Sequence, residues 1–155
     1  MTTIAFDGKT LAADTQLTFD TVPLYCRKIH RIPEKYWIWS CAGDTHVEAD
    51  ILAWVRGGAE APERSRLKKF EAFIYDYKEK KIWFMNHSIH LQPVVDKYFT
   101  LGSGWASARA AMLLGLPAKD AVKFASDVDI YTNSYVDTYD VETDTITQVR
   151  LPCHR

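Results

Sequence analysis

Apolar and polar residues alternate almost from the first residue, which predicts that the chain begins with β structure. Residues 3–6 alternate, Asp7-Gly8 is a turn dipeptide, and residues 9–14 form the expected returning strand. A second hairpin is predicted from "CRKIHRI", "PEK" and "YWIWSCAG". Because nearly every residue of "YWIWSCAG" is apolar or small, we expect that strand to be buried on both faces.

The rest of the chain switches between helical and strand patterns. Apolar residues at helical spacing predict a helix over residues 45–55, which ends at Gly57-Gly58. A polar connector, "AEAPERSRLKK", leads to a hairpin over residues 70–86, a strand in "YFTLGSG", helices over 107–115 and 118–132, and a final hairpin over 134–152. Such segregated runs favour antiparallel sheets covered by helices. We therefore predict an α+β fold, with two face-to-face antiparallel sheets between helical layers and residues 1–155 forming a single domain.

Charge and cysteine usage narrow the classes of function. The 19 Lys and Arg residues nearly balance the 20 Asp and Glu residues, giving a net charge of −1, so a nucleic-acid partner is not expected. The sequence has neither a signal-peptide pattern nor an apolar run approaching about 20 residues, so we expect a cytoplasmic protein without a membrane partner. Cys26, Cys41 and Cys153 form no Cys-x-x-Cys pair, and His87 and His90 lack carboxylates at metal-ligand spacing. No metal or other cofactor is therefore expected.

Several short segments carry hydroxyl, carboxylate and amine groups in an order that is informative as a set. They are Thr2-Thr3, "AADTQ" around Asp14, "RKIHRI" around Lys28, "LGSGWASARAAMLLG" around Ser103, and "SDVDIYTN" around Asp127. Together they resemble the proteasome β-subunit family of N-terminal nucleophile hydrolases, in particular its bacterial HslV type. The resemblance covers most of the chain and implies a four-layer αββα sandwich. It also implies a threonine-type peptidase or amidohydrolase acting on peptides or unfolded segments, from a compact phage or bacterial member.

The resemblance implies that Thr2 is the catalytic nucleophile, exposed when Met1 is removed. A threonine hydroxyl needs a base within hydrogen-bond reach. An α-amino group, with an ordinary pKa of about 7.7–8.0, can serve because it is partly neutral near pH 7. Only the first residue of a chain carries both groups. In the implied site, the Lys28 ammonium favours the neutral amine, and Asp14 keeps Lys28 charged and oriented.

The remaining implied site residues position the amine or the substrate. Ser103 of the "GSG" turn and Asp127 would orient the amine and relay its proton, and Ser40 stands where the family has an oxyanion-hole glycine. Each residue type also has an ordinary structural role: Asp14 in a turn, Ser103 as a helix N-cap, and Lys28 or Asp127 on a solvated face. Because Lys28 would lie on an alternating strand, its truncation is expected to leave the fold intact.

The sequence leaves alternatives for assembly and activity. The family's long second helix is almost absent, since little more than "GGAEAPERSRLKK" separates Val55 from Phe70. We expect a homo-oligomer, either one ring or an open assembly, with peptide or unfolded-protein substrates; the sequence does not identify an unfoldase partner. The alternative function is a non-catalytic proteasome-like subunit that serves assembly or scaffolding. A further alternative is an unrelated α+β binding module, which would lack the paired central sheets.

Overall fold

The computed structural model of the chain describes residues 2–43 and 45–152, apart from the side chains of residues 45, 46 and 64. The expectations for Met1 and Cys153 lie outside these residues. The strands are, in chain order, β1 (Thr3–Phe6), β2 (Thr10–Asp14), β3 (Gln16–Phe19), β4 (Val22–Tyr25), β5 (His30–Ile32), β6 (Trp37–Ala42), β7 (Glu71–Asp76), β8 (Lys81–Asn86), β9 (Gln92–Val94), β10 (Phe99–Gly102), β11 (Val136–Asp140) and β12 (Thr145–Thr147). The helices are α1 (Thr45–Val55), α2 (Trp105–Leu113) and α3 (Ala118–Ser126), with 3-10 turns at Pro33–Lys35 and Arg64–Leu67. Within the described residues, no helix is long and apolar enough to cross a membrane.

Two five-stranded antiparallel sheets form the centre of the fold. The first has the strand order β10-β1-β2-β11-β12 and the second has the order β5-β6-β7-β8-β9, while β3 and β4 form a separate hairpin. The register of the first sheet pairs Thr3 with Gly102 across β1 and β10, and Ala13 with Asp137 across β2 and β11. Strand β1 is therefore held on both sides, by β10 and by β2.

Alternation along β1 and β2 separates the two faces of the first sheet. On its outer face, Ala5 and Ala12 form a cluster with alanines of α2 and α3, among them Ala108 and Ala121. Side chains of this size let both helices lie close to the strands.

The second sheet is covered on its outer face by α1. Val47 and Ile51 of this helix pack against Trp39 and Ile74 of the sheet. The helix begins and ends where its apolar spacing predicts. Leu67, in the polar connector that follows, is fully buried in the same cluster and ties the connector to the sheet.

The inner faces of the two sheets meet in the main hydrophobic core. Ile4 and Phe6 of β1 contact this core together with Ile38 and Phe73 of the second sheet, and the rings of Phe6 and Phe73 are 5.1 Å apart between centroids. The layers are thus α2 with α3, the first sheet, the second sheet, and α1. This confirms the α+β four-layer sandwich, and β6 is largely buried on both faces as expected.

Several local features differ from the sequence prediction: α2 begins and ends two residues earlier than expected, strand β9 is not predicted, and the end of α3 and the β3–β4 hairpin also differ. Helix α3 ends at Ser126 rather than near residue 132, because Asp129 accepts the N–H of Tyr131 with its side chain and the N–H of Thr132 with its carbonyl, which closes a separate turn. The β3–β4 hairpin is not predicted by the pattern. Its second strand contains Pro23, and its turn uses Asp20 at a φ of 52° where a glycine signal would be expected.

Candidate active site

Thr2 lies directly before β1, where the adjoining strand β10 approaches it very closely. The Ser103 N–H donates to the Thr2 carbonyl at 2.8 Å, and Thr2 is 3% exposed. Gly102 has a φ of 88°, and a Cβ atom at this position would lie 1.7 Å from the Thr2 carbonyl oxygen. Only glycine therefore allows β10 to hold Thr2 in this place.

Asp14 is the hydrogen-bond acceptor that several polar groups around the start of β1 share. Its carboxylate, fully buried at the end of β2, accepts from the Thr3 N–H and from the Lys28 ammonium with Oδ1, each at 2.9 Å. Its Oδ2 accepts from the Gln16 N–H at 2.9 Å and from the Asn133 N–H at 3.4 Å. A carboxylate with this many donors is held in one orientation.

Lys28 lies between β4 and β5 and is only 6% exposed. Lys28 is therefore not an ordinary solvated surface residue. Its ammonium is paired with Asp14, whose Oδ1 also accepts the N–H of Thr3, the neighbour of Thr2. The pair thus places a fixed positive charge beside the segment that carries Thr2.

A second polar network joins β1 to the turn after α3. The Thr3 and Thr132 hydroxyls lie 2.6 Å apart, and the Thr132 and Ser103 hydroxyls each donate to Asp129 Oδ2 at 2.5 Å. The Ser103 hydroxyl is also 3.5 Å from the Thr2 carbonyl oxygen. Since Thr132 gives its proton to Asp129, Thr3 is the donor to Thr132. Sequence reasoning missed Thr132 and Asp129.

Asp127, the expected partner of Ser103, lies elsewhere. It is the C-cap residue of α3 and its side chain is exposed. The Ser103 hydroxyl instead donates to Asp129, two residues further along the chain. The signal that could have found it is the Asp-x-x-Thr spacing of residues 129–132, since a carboxylate and a hydroxyl three residues apart meet in a tight turn.

Ser40, the expected pocket residue, is fully buried opposite Phe73, and its hydroxyl has no hydrogen-bond partner in the described part of the chain. The structure instead places Ala42 and Gly43, at the end of the same strand, against Thr2 in one cleft. Gly43 has a φ of 122°, and a Cβ atom there would lie 1.9 Å from the Lys69 carbonyl oxygen. A glycine is therefore required at this cleft position rather than at residue 40.

The cleft has a volume of about 640 Å³ and opens over Thr2 and Ser103. Its other lining residues are Leu17, Thr18, Asp20, Ala42, Gly43, Lys69, Glu71, Gly102, Trp105 and Tyr131. It thus combines hydroxyl groups, charges of both signs and two aromatic side chains. A cleft of this volume lies within the range of about 300–1,000 Å³ that is typical of ligand-binding sites.

Solved structures of similar fold were found by comparison. BPH from Thiobacillus denitrificans has 16% identity and a TM-score of 0.68, over 96% of this chain and 98% of that one. The same protein in complex with epoxomicin has 16% identity and a TM-score of 0.70, over 97% and 100% of the two chains. HslV from Trypanosoma brucei has 19% identity and a TM-score of 0.63, over 88% and 97%. No family model and no curated protein matches the chain by sequence.

The chain has the proteasome β-subunit and HslV fold. The likeness is one of fold, since identities are below 20%. It confirms the resemblance drawn from the sequence motifs and excludes an α+β module without paired sheets. This chain retains the proteasome-like fold even though only a short connector with one 3-10 turn follows α1.

The two cysteines that the structure describes, Cys26 and Cys41, are not activated. Burial raises the pKa of the Cys26 thiol, against the opposing effect of the Lys28 ammonium. Burial also raises the pKa of Cys41 well above its ordinary value, and the Glu48 carboxylate adds to this shift. Both thiols are therefore neutral at neutral pH and poor nucleophiles. Within the described residues, no three His, Cys, Asp or Glu side chains converge to hold a metal ion.

Proposed function

We propose that the protein is a threonine-type N-terminal nucleophile hydrolase that cleaves amide bonds in peptides or unfolded segments, with Thr2 as nucleophile once Met1 is removed. The observation that carries this proposal is the position of Thr2. It lies in a cleft, beside a buried Asp14–Lys28 ion pair. Charged groups are rarely buried without a functional reason, because their desolvation is costly.

The reaction proceeds in two halves. The Thr2 hydroxyl attacks the substrate carbonyl carbon while the Thr2 amine takes its proton, and the amine then gives that proton to the departing nitrogen. This leaves an ester between the acyl group and the Thr2 oxygen. Water, deprotonated by the same amine, hydrolyses the ester and restores the hydroxyl. The Lys28 ammonium favours the neutral, proton-accepting form of the amine.

Two further groups support this chemistry in the proposal. The network of Ser103, Asp129 and Thr132 orients the start of β1 and with it the amine. The backbone at Ala42 and Gly43, which lines the cleft, provides the N–H that stabilises the oxyanion, a role the sequence had suggested for residue 40. BPH, whose fold this chain shares, has been solved with epoxomicin bound, which supports the choice of peptide-like substrates.

The proposal includes assembly of several copies, as one ring or an open oligomer. Large apolar side chains are exposed on and after α2 and α3; they are Leu113, Leu114, Phe124, Val128 and Ile130. Exposed apolar side chains in this number on two neighbouring helices fit a protein–protein contact. Light scattering tests this: a mass near 17.8 kDa would show a monomer and end the assembly proposal.

The activity is tested with a library of internally quenched peptides. The wild-type protein should cleave members of the library. Thr2→Ala should cleave none, while keeping the melting temperature and the oligomeric state of the wild type. Thr147→Ala, an exposed threonine on β12, is the matched control and should cleave at the wild-type rate. Equal, undetectable cleavage by all three proteins would favour the non-catalytic subunit instead.

A further inference from the structure

Two aromatic side chains border the cleft without being packed into the core. Trp105, the first residue of α2, is 53% exposed, and Tyr131, in the turn before β11, is 38% exposed. Tryptophan and tyrosine bury large areas when they have a partner and are enriched where proteins bind other molecules. Their exposure at the mouth of a cleft points to a ligand that covers them.

Both aromatic residues belong to the segments that hold the start of β1. Trp105 follows Ser103 by two positions, and the Ser103 N–H binds the Thr2 carbonyl. Tyr131 directly precedes Thr132, and its own N–H donates to Asp129 Oδ1 at 3.2 Å. One shared set of hydrogen bonds therefore holds Thr2 and the segments that carry the two rings in fixed positions relative to each other.

The chemistry of the reaction determines which half of the substrate lies next to Trp105 and Tyr131. This step rests on the proposed function, in which the departing nitrogen must collect its proton from the Thr2 amine. The groups that orient this amine belong to the network around Ser103 and Asp129, so the leaving half lies on that side of Thr2. Trp105 and Tyr131 border this side of the cleft.

We infer that Trp105 and Tyr131 bind the leaving half of the substrate and select peptides with an aromatic or large apolar residue directly after the cleaved bond. Burying such a side chain between two rings removes apolar surface from water and adds ring–ring contacts. The rest of the cleft wall includes the charged residues Asp20, Lys69 and Glu71, which do not favour an apolar group.

The first test compares cleavage of matched peptides that differ only in the residue after the cleaved bond, phenylalanine or glycine. For the wild-type protein, kcat/KM should favour phenylalanine by roughly tenfold or more. Trp105→Ala should abolish most of this preference, leaving the glycine peptide almost unaffected, and Trp105→Phe should restore part of it. Val95→Ala, which removes a fully exposed apolar side chain that neither lines the cleft nor belongs to the proposed subunit contact, is the matched control.

A second measurement uses only the wild-type protein, so it stands even if a variant fails to fold. During cleavage, an added amine bound at the leaving site attacks the ester carbon. The Thr2 amine takes the proton that the added amine loses and gives it to the departing Thr2 oxygen. A new amide therefore forms in place of the acid. Phenylalaninamide should divert product to the amide far more efficiently than glycinamide.

The outcomes separate this inference from the proposed function. Cleavage with no preference for phenylalanine, and equal diversion by both amides, would overturn the inference while the hydrolase proposal stands. A preference for phenylalanine that survives in Trp105→Ala would also overturn the inference. If Trp105→Ala keeps the preference and forms a smaller oligomer, the exposed rings belong to a subunit contact instead. No cleavage of any peptide by the wild-type protein would remove the proposed function and the inference together.

Discussion

The Lys28 ammonium and the Asp14 carboxylate form an ion pair of 2.9 Å in which both side chains are almost completely buried. Asp14 is satisfied further by main-chain N–H groups, whereas Lys28 has Asp14 as its ion-pair partner. The pair therefore has two effects that can be separated by mutation. It supports the fold as a matched pair, and it places a positive charge near Thr2.

Replacing Lys28 by methionine should abolish peptide cleavage and lower the free energy of unfolding by about 3–5 kcal/mol, because Asp14 is left as an unpaired buried charge. This differs from the sequence expectation that truncation spares the fold. The double variant Asp14→Asn with Lys28→Met should be more stable than Lys28→Met alone, yet equally inactive. Urea unfolding and peptide cleavage measure the two effects. Wild-type turnover in Lys28→Met would show that the charge has no role in activity.

Asp129 and Asp127 offer a matched pair of substitutions two residues apart. Asp129→Asn should lower kcat/KM by between about ten- and a hundredfold, the effect of about 1.5–3 kcal/mol expected for hydrogen bonds to a charged group. The Asp129 carboxylate accepts from both Ser103 and Thr132, and an amide cannot accept equally well. Asp127→Asn should leave kcat/KM unchanged because its side chain is exposed. The reverse pattern would return the role to Asp127.

The two aspartates also show where prediction from sequence succeeds and where it fails. Alternation and helical spacing fix β1 and α1 to the residue, because these elements each bury one regular face. The same periodicity, continued past Ser126, places Asp127 in a helix and hides the turn that Asp129 makes. Side-chain hydrogen bonds that end a helix leave no periodic signal.

The misplaced pocket residue has a similar cause. Motif likeness aligns Ser40 with a glycine, but alternation along β6 sends this side chain between the two sheets. Gly43, at the end of this strand, lines the cleft. It must be glycine because its conformation and the close Lys69 carbonyl exclude any Cβ atom. Such close approaches depend on a segment distant in sequence, so they appear only once the fold is known.

Gly102→Ala should remove activity and destabilise the protein, because the added Cβ atom would collide with the Thr2 carbonyl. Gly57→Ala is the control for backbone strain alone. Gly57 has a φ of 83°, close to the 88° of Gly102, but open space where a Cβ atom would lie. It should lose about 1–2 kcal/mol of stability and keep its activity. Thermal unfolding with peptide cleavage distinguishes the variants, and equal behaviour of both would mean that Thr2 is not held by β10.

Asp144 predicts a pH dependence of stability. Hydrogen bonds from Arg31 of β5 hold the pKa of this carboxyl, in the turn before β12, below its ordinary value, and the Tyr139 hydroxyl adds to this. A carboxyl whose pKa is lower in the folded state stabilises the fold above its unfolded pKa of about 3.9 and loses this contribution as the pH falls through the folded pKa. Asp144→Asn should therefore lower stability at pH 7 by about 0.2–1 kcal/mol, the range of exposed ion pairs.

The comparison of Asp144→Asn with the wild type is made by thermal unfolding between pH 7 and pH 2. The difference in melting temperature should shrink steadily below pH 4 and vanish once both the folded and unfolded carboxyl are protonated. Asp127→Asn, at an exposed position, should match the wild type throughout. A difference for Asp144→Asn that grows toward low pH would contradict the assigned ion pair.

The central claim is that the chain carries a free, reactive threonine at residue 2, and intact-mass measurement with epoxomicin tests it most directly. A peptide epoxyketone presents two adjacent electrophilic carbons, which a hydroxyl and an amine on one residue attack together. The untreated protein should begin at Thr2, the treated protein should gain the mass of one epoxomicin, and Thr2→Ala should gain none. Retention of Met1, no added mass, or the same adduct on Thr2→Ala would contradict a free, reactive threonine at residue 2.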